Sequence, residues 1–364
     1  MSIKPAKLSR LFVVIIFFLA FILALLSALL FPAKESVCAY FAEESGAMVW
    51  RQQSFPVMGT MVEVNLYGRS ADLDAAVDEV RTEFNKVHNI CNVFDPNSEL
   101  SRLNATAAVR AVRTSPLLTE ILQRSREAYE RTDHAFDISV KPLMGLWGFH
   151  RKRNTMPSQP EISAALHQVG LNKVIFNDVE HSVKFTVPGM AFDLGGIAKG
   201  FALSRAVAVA KKHHINTGII NAGGNLYCLP ELPDGRKFNV IGIRHPFDTD
   251  AIYGSVNVNG KAVSTSGGYE RFVTIAGQTY AHIMDPRTGM PANQIVAVTV
   301  VAADATIADY LSTAIFVGGA SFLATVSKNF PDAAGVIFQL NPDHTIHTVT
   351  FGNIDYQKIN PEQQ

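Results

Sequence analysis

Three cysteines, Cys38, Cys91 and Cys228, are too few and too widely spaced to form a disulfide framework. Zinc chemistry lacks its usual carriers, since there is no Cys pair, no HExxH and no histidine cluster at ligand spacing. Neither GxGxxG nor GxxxxGKT occurs, so no Rossmann dinucleotide fingerprint and no P-loop is present. Charge of one sign is missing too: Lys+Arg and Asp+Glu each number 32, which gives no polybasic signature for a nucleic-acid partner. No fixed-period repeat is visible, and 25 glycines and 17 prolines in 364 residues are ordinary for a folded, loop-rich chain.

One long apolar run stands out. Lys4, Lys7 and Arg10 precede an uncharged stretch from Leu11 to Ala33, after which Lys34 and Glu35 return the chain to water. That stretch exceeds the core of a typical cleaved signal and is long enough to cross a bilayer of about 30 Å. The positive flank orients the N-terminus inward and the body outward. The expectation is an uncleaved N-terminal anchor over residues 1–33, with signal cleavage as the alternative. A tether over 34–52, a folded domain over 53–355 and a polar tail over 356–364 follow. Glu35-Ser36-Val37-Cys38 does not read as a lipobox, and Cys91 and Cys228 sit in apolar contexts as small core residues.

Along the body, Val57 to Tyr67 reads as a strand, and apolar residues from Leu73 to Ile90 recur at helical spacing with Asp72 or Asp74 as cap. Phe94 to Asn104 is polar and turn-prone. Ser115-Pro116 opens a helix reaching about Arg131. A short helix near 161–169 and strands about 172–177 and 182–187 precede a further apolar run, Val187 to Leu194, expected to be extended. Strands are expected near 215–220, 238–244, 251–258 and 271–275, with a turn at Ser264 to Arg271 interrupting them. Ile295–Val301 reads as a strand, Asp304–Phe316 as a helix, and 334–340 and 345–351 as closing strands. Helices and strands interleave without a strict βα rhythm, which favours an α+β fold.

Two stretches carry phosphate chemistry. Asp193-Leu194-Gly195-Gly196-Ile197-Ala198-Lys199-Gly200 runs through a glycine pair into a helix, placing backbone N–H groups and the Lys199 ammonium where an anion can sit. The same glycines also serve a tight turn with close helix packing. Asp309 and Thr313, four apart on one helix, offer a carboxylate and a hydroxyl, hard oxygen donors suited to Mg²⁺; a hydrogen-bonded helix pair is the other reading. With Lys199 they make a diphosphate clamp. His282 and Asp285, in the polar stretch Tyr280 to Pro291, either act as acid and base or hold a loop. Thr265 and Ser266 either bind phosphate or cap a turn. Met58, Trp147, Phe149 and Tyr269 supply apolar surface for a cofactor or for the core.

Taken together these stretches resemble the ApbE family of flavin transferases. The matching segments are Val57-Met58-Gly59-Thr60, Phe94 to Asn104, Phe136-Asp137 with Pro142 to Phe149, Asp193 to Gly200, Asn221-Ala222-Gly223-Gly224, Thr265-Ser266-Gly267, His282 to Gly289, and Ala308-Asp309 with Thr313-Ala314. They fall in the family's order from about Phe55 to Gly319. The resemblance implies mixed helices and antiparallel-rich sheets in two related halves around a central FAD cleft, preceded by one N-terminal transmembrane segment. It implies an exported, Mg²⁺-dependent enzyme that splits FAD, releases AMP and joins FMN to a Ser or Thr hydroxyl of a partner. Acceptors implied are flavin-bearing subunits of Nqr- and Rnf-type membrane redox complexes, and the place implied is the periplasmic side of a bacterial inner membrane. By the same match Asp309, Thr313 and the Gly196 carbonyl hold the metal, while Met58, Trp147, Phe136 and Asp137 line the flavin–adenine pocket. Lys199, Thr265, Ser266 and His282 surround the diphosphate, and Asp285 is the expected base. Two departures are Lys141, where a small residue commonly stands, and Tyr310, where alanine does. The rival expectations are an FAD diphosphatase giving free FMN and AMP, and a carrier that holds FAD without cleaving it.

Overall fold

A computed structural model describes residues 47–359 apart from 151, 249, 294, 342 and 344, so the expected anchor at 1–33 lies outside the described residues. The chain opens with a hairpin of β1 (Met48–Val57) and β2 (Thr60–Arg69), followed by α1 (Ser70–Cys91), α2 (Glu99–Thr106), the short β3 (Val112–Arg113) and α3 (Pro116–Arg131). Next come α4 (Lys141–Leu146), α5 (Gln159–Leu166), β4 (Val174–Asn177), β5 (Ser182–Phe185) and α6 (Ala198–Lys212). A strand-rich stretch follows: β6 (Thr217–Ala222), β7 (Asn225–Cys228), β8 (Asn239–Arg244), β9 (Ile252–Val258), β10 (Lys261–Gly267), β11 (Phe272–Ile275), β12 (Gln278–Ala281) and β13 (Ile295–Ala302). The chain closes with α7 (Ala305–Gly318), α8 (Leu323–Asn329), β14 (Ala334–Leu340), β15 (Ile346–Phe351) and β16 (Tyr356–Lys358).

An eight-stranded sheet in the order β1-β2-β6-β7-β10-β13-β14-β15 is antiparallel throughout. Its two faces are both covered, and β13 shows why. Val298, Val300 and Ala302 point into the core shared with α1, α6 and α7, whereas Ala297 and Val301 point into a second core shared with β9. The period of two along a strand sorts these side chains to opposite faces, and a strand covered on both sides is apolar along its whole length. The layers are therefore helices, the large sheet, and a three-stranded sheet in the order β16-β9-β8. A third apolar cluster around Trp147 joins α4 and α5 to the β11–β12 hairpin. The expected α+β architecture with antiparallel sheets is the one observed. Among the described residues no single helix is long and apolar enough to cross a membrane.

Several local expectations need correction. The tether ends earlier and the tail begins later than expected, because residues 48–52 belong to β1 and 356–358 form β16. The apolar run before the glycine pair is irregular rather than a strand. The Asn104 side chain takes the place of a neighbouring strand there, accepting from the Phe192 N–H at 2.7 Å and donating to its carbonyl at 2.9 Å. Phe94 to Asn104 does not stay a loop, since Ser98 caps α2 by accepting from the Ser101 N–H at 3.0 Å. Ser264 to Gly267 lies inside β10 rather than in a turn. Among the described residues no side chain caps α1, and Asp72 instead pairs with Arg69.

The packing of α6 on α7 positions the site. A Cβ on Gly200 would lie 2.3 Å from the Ala305 carbonyl oxygen and 2.5 Å from the Asp309 Cβ, so only glycine lets the two helices approach this closely.

Candidate active site

The first turn of a helix leaves backbone N–H groups without intrahelical acceptors. In α6 one of these belongs to Gly200, and it donates to Asp309 Oδ2 at 2.7 Å. Asp309, on α7, thus caps a neighbouring helix from the side. It is 3% exposed, and burial pushes its carboxyl up while Lys199, the Gly200 N–H, Asn225 and Ser264 pull it back. Thr313 sits one turn further along α7, its Oγ1 3.4 Å from the Asp309 carbonyl and 3.4 Å from Ser266 Oγ. Gly196 closes on the same point, since a Cβ there would lie 3.4 Å from Thr313 Oγ1 and 3.0 Å from Phe136. The structure therefore gathers Gly196, Lys199, Ser266, Asp309 and Thr313.

These residues line a cavity of about 1480 Å³. Its walls also include Met58 and Gly59 from the β1–β2 turn, Phe136, Asp137, Thr265, Glu270, Arg271 and His282. Met58 adopts a positive φ of 55°, a strained conformation for a non-glycine residue, in the turn facing the cavity. Lys199 forms no ion pair or side-chain hydrogen bond among the described residues, and its charge acts on Asp309, Glu270 and His282. The Thr265 hydroxyl is engaged with Thr299 Oγ1 at 2.9 Å. Asp137 caps the 3₁₀ turn Ile138–Val140, accepting from the Ser139 N–H and hydroxyl, and burial lifts its carboxyl to about 6.

His282 and Asp285 separate in role. The His282 Nδ1 lies 3.1 Å from the Arg271 carbonyl oxygen, which can only accept, so Nδ1 carries the proton and Nε2 keeps its lone pair. Burial is the largest influence on the ring and, with the charges of Arg271 and Lys199, lowers its pKa to about 4 against the pull of that hydrogen bond. His282 thus presents a neutral ring with an unprotonated Nε2 on the cavity wall. Asp285 does not line the cavity. Its two carboxylate oxygens accept from Arg287 Nε and Nη2, each at 2.9 Å, and its N–H and carbonyl bond to Met290 and Gly289. The residue expected as base thus has its carboxylate engaged within its own loop and does not face the cavity.

Trp147 is likewise displaced from the role expected of it. The ring is fully buried, donates from Nε1 to the Gly289 carbonyl at 2.9 Å and packs on Tyr280 instead of lining the cavity. Tyr310 points into the core between Phe136 and Phe330, away from the Asp309 carboxylate chemistry. Among the described residues Cys91 and Cys228 are unpaired, and burial pushes both thiols up to about 12, which makes them inert at neutral pH. Sequence reasoning missed Glu270, Arg271 and Arg244 on the cavity wall. The available signal for the first two was the charged pair one residue beyond the Thr265 to Gly268 segment, while nothing local marked Arg244.

A deep cleft with a glycine-opened helix start, a free lysine and a buried hard-oxygen pair defines a site for a phosphate-bearing ligand. The profile of the ApbE family matches residues 58–337, and the chain belongs to that family. An FAD:protein FMN transferase of Treponema pallidum is 32% identical over 292 residues, covering 76% of this chain and 80% of the relative. One from Klebsiella pneumoniae is 31% identical over 264 residues, covering 71% and 80%. The crystal structure of an ApbE protein from Thermotoga maritima superposes with a TM-score of 0.75 at 30% identity, covering 82% of this chain and 96% of that one.

The His282 environment predicts a pH dependence of stability. The unfolded ring titrates near 6.5 and the folded one near 4, so between these values the unfolded chain binds more protons and stability falls as pH falls. Asp137 works the other way between about 6 and 3.8, since its folded carboxyl holds the proton longer. His282→Gln is expected to shrink the stability lost between pH 7 and pH 4.5 by on the order of 1–3 kcal/mol in urea unfolding; an unchanged loss contradicts the half-buried neutral ring.

Proposed function

We propose that this chain is an FAD:protein FMN transferase that moves the FMN moiety of FAD to a Ser or Thr hydroxyl of a partner protein and releases AMP. The observation that carries the reading is the meeting of Lys199, the Asp309–Thr313 pair and the Gly196 turn in one cavity that a neutral histidine with an unprotonated Nε2 also lines. The activity named for the relatives in Treponema pallidum and Klebsiella pneumoniae agrees with it.

The donor set fits Mg²⁺. A buried carboxylate with one oxygen held by the Gly200 N–H, a hydroxyl one turn away and the peptide backbone at Gly196 nearby offer hard oxygen donors. Among the described residues no group of three or more His, Cys, Asp or Glu forms an all-protein cage. Mg²⁺ typically takes one or two carboxylates and completes its shell with water and phosphate oxygens. When bound it would neutralise charge on the diphosphate. Asp309, Thr313 and the Gly196 carbonyl would hold it, and Lys199 would add a second positive charge.

The reaction then needs a base and an orientation. The acceptor hydroxyl oxygen bonds to the FMN-side phosphorus, its proton passes to His282 Nε2, and the P–O bond to the bridging oxygen breaks so that AMP leaves with that electron pair. Met58 and Phe136 offer apolar surface for the ring systems, and Ser266 holds Thr313 in place. The acceptors are flavin-carrying subunits of the Nqr and Rnf kind.

Incubating the chain with FAD, Mg²⁺ and the soluble domain of an Nqr-type subunit, then weighing that domain, distinguishes the readings. An FMN-sized mass gain is expected; free FMN selects the diphosphatase, and intact FAD selects the carrier. Asp309→Ala is expected to abolish Mg²⁺-dependent turnover, His282→Gln to slow it by about 10²–10⁴-fold with FAD still bound, and Asp285→Asn to keep most of it. A slow Asp285→Asn with a fast His282→Gln reverses the assignment of the base. The stretch Leu11 to Ala33 with its basic flank supports an anchored enzyme facing the periplasm of a bacterial inner membrane. Membrane-fraction protein of intact mass is expected, and loss of residues 1 to about 33 would show a cleaved signal instead.

A further inference from the structure

We infer that the acceptor polypeptide binds in an extended conformation, adding as a strand to the free edge of β8 and passing its hydroxyl-bearing residue into the cavity. This rests on the transferase reading, which requires a protein chain to reach the diphosphate.

The backbone of β8 is prepared for such an addition. β8 ends the order β16-β9-β8 and has no second neighbouring strand among the described residues. Hydrogen-bonding directions in β9 fix those in β8. The Asn257 N–H donates to the Asp355 carbonyl and the Tyr253 carbonyl accepts from Ile359, so Tyr253, Ser255 and Asn257 turn their backbone groups toward β16. Val240 and Gly242 lie opposite Asn257 and Ser255. In an antiparallel ladder the residues of such a non-bonded pair face away from each other, so the N–H and C=O of Val240 and Gly242 point out of the sheet edge. Gly242 is exposed, and with no side chain its exposed atoms are backbone. An unpaired row of donors and acceptors is what a β-augmenting peptide uses.

The edge is continuous with the catalytic cavity. Gly242 and Arg244 line it together with Lys199 and Asp309, and the charge of Arg244 acts on Glu270, on which Lys199 and Asp309 also act. The cavity of about 1480 Å³ exceeds the roughly 300–1,000 Å³ of ordinary small-molecule sites, leaving room for a peptide segment beside a dinucleotide. Val240, 63% exposed, and Phe272, 56% exposed, place apolar surface at this end of the molecule for side chains flanking the modified residue. An extended segment alternates its side chains, so one hydroxyl can point inward while its neighbours stay on the rim.

The test uses the full chain with the soluble domain of an Nqr-type subunit as acceptor. Val240→Pro removes one outward N–H without touching the β8–β9 bonds, and edge strands tolerate proline. Losing one main-chain hydrogen bond corresponds to roughly 2–12-fold, so the acceptor KM is expected to rise by about that factor while FAD affinity stays unchanged. An unchanged acceptor KM overturns the inference. Should the variant fail to fold, amide hydrogen exchange on the unaltered chain decides: the acceptor is expected to slow exchange at Val240 and Gly242, and unslowed exchange at both overturns the docking mode. Absence of FMN transfer by the unaltered chain overturns the transferase reading itself, and the inference with it.

Discussion

Everything at the cavity floor depends on one carboxylate buried against the start of a helix. Removing Asp309 from water is costly unless a cation or hydrogen-bond donors meet it. The Gly200 N–H supplies one donor, and Lys199 supplies a nearby positive charge. The arrangement exists only because α6 and α7 touch closely enough for the bond to form, and a side chain at residue 200 would separate them. Once the two helices are locked, Thr313 and the Gly196 turn are carried to the same point. A polar seam of Ser264, Asn225, Ser312 and Ser266 then holds the floor in place through bonds of 2.7–2.8 Å between Ser264 and Asn225 and between Ser266 and Ser312.

The second constraint is the wall opposite. β10 and β13 build the sheet on which α7 lies, and the segment leaving β10 turns through Tyr269, Glu270 and Arg271 into β11. Because Arg271 presents its carbonyl to His282 Nδ1, the backbone of one loop sets the tautomer of a side chain on another. A carbonyl cannot donate, so the ring has no choice about which nitrogen faces onward. Fixing the tautomer by a second partner is how an imidazole is committed to one role. Arg271 also reaches the β1–β2 turn, its Nη2 lying 3.3 Å from where a Gly59 Cβ would be.

Much of this was legible in the sequence wherever the signal was local. The i, i+4 spacing of Asp309 and Thr313, the Ser115-Pro116 helix start and the glycine pair before α6 all describe one element at a time, and each element forms as its residues dictate. What the sequence concealed was set by which partner each group finds in the fold, in most cases one far along the chain. An apolar run looks like a strand until Asn104, far away in the chain, supplies the bonds a neighbouring strand would have made. Trp147 looks like a stacking platform until Gly289 captures its N–H. Asp285 looks like a base until Arg287, two residues on, is seen to hold both of its oxygens. Resemblance to the ApbE family pointed to the cleft, but the different surroundings of His282 and Asp285 are visible only in their hydrogen bonds.

The central claim is that Asp309 and Thr313 hold a divalent cation against the two phosphates of FAD. A crystal of the full chain soaked with FAD and Mn²⁺, measured at the manganese absorption edge, addresses it directly. The account predicts an anomalous peak touching Asp309 and Thr313 on one side and diphosphate oxygens on the other. FAD bound in the cavity with no peak there, or with the Asp309 carboxylate turned from the phosphates, would contradict it.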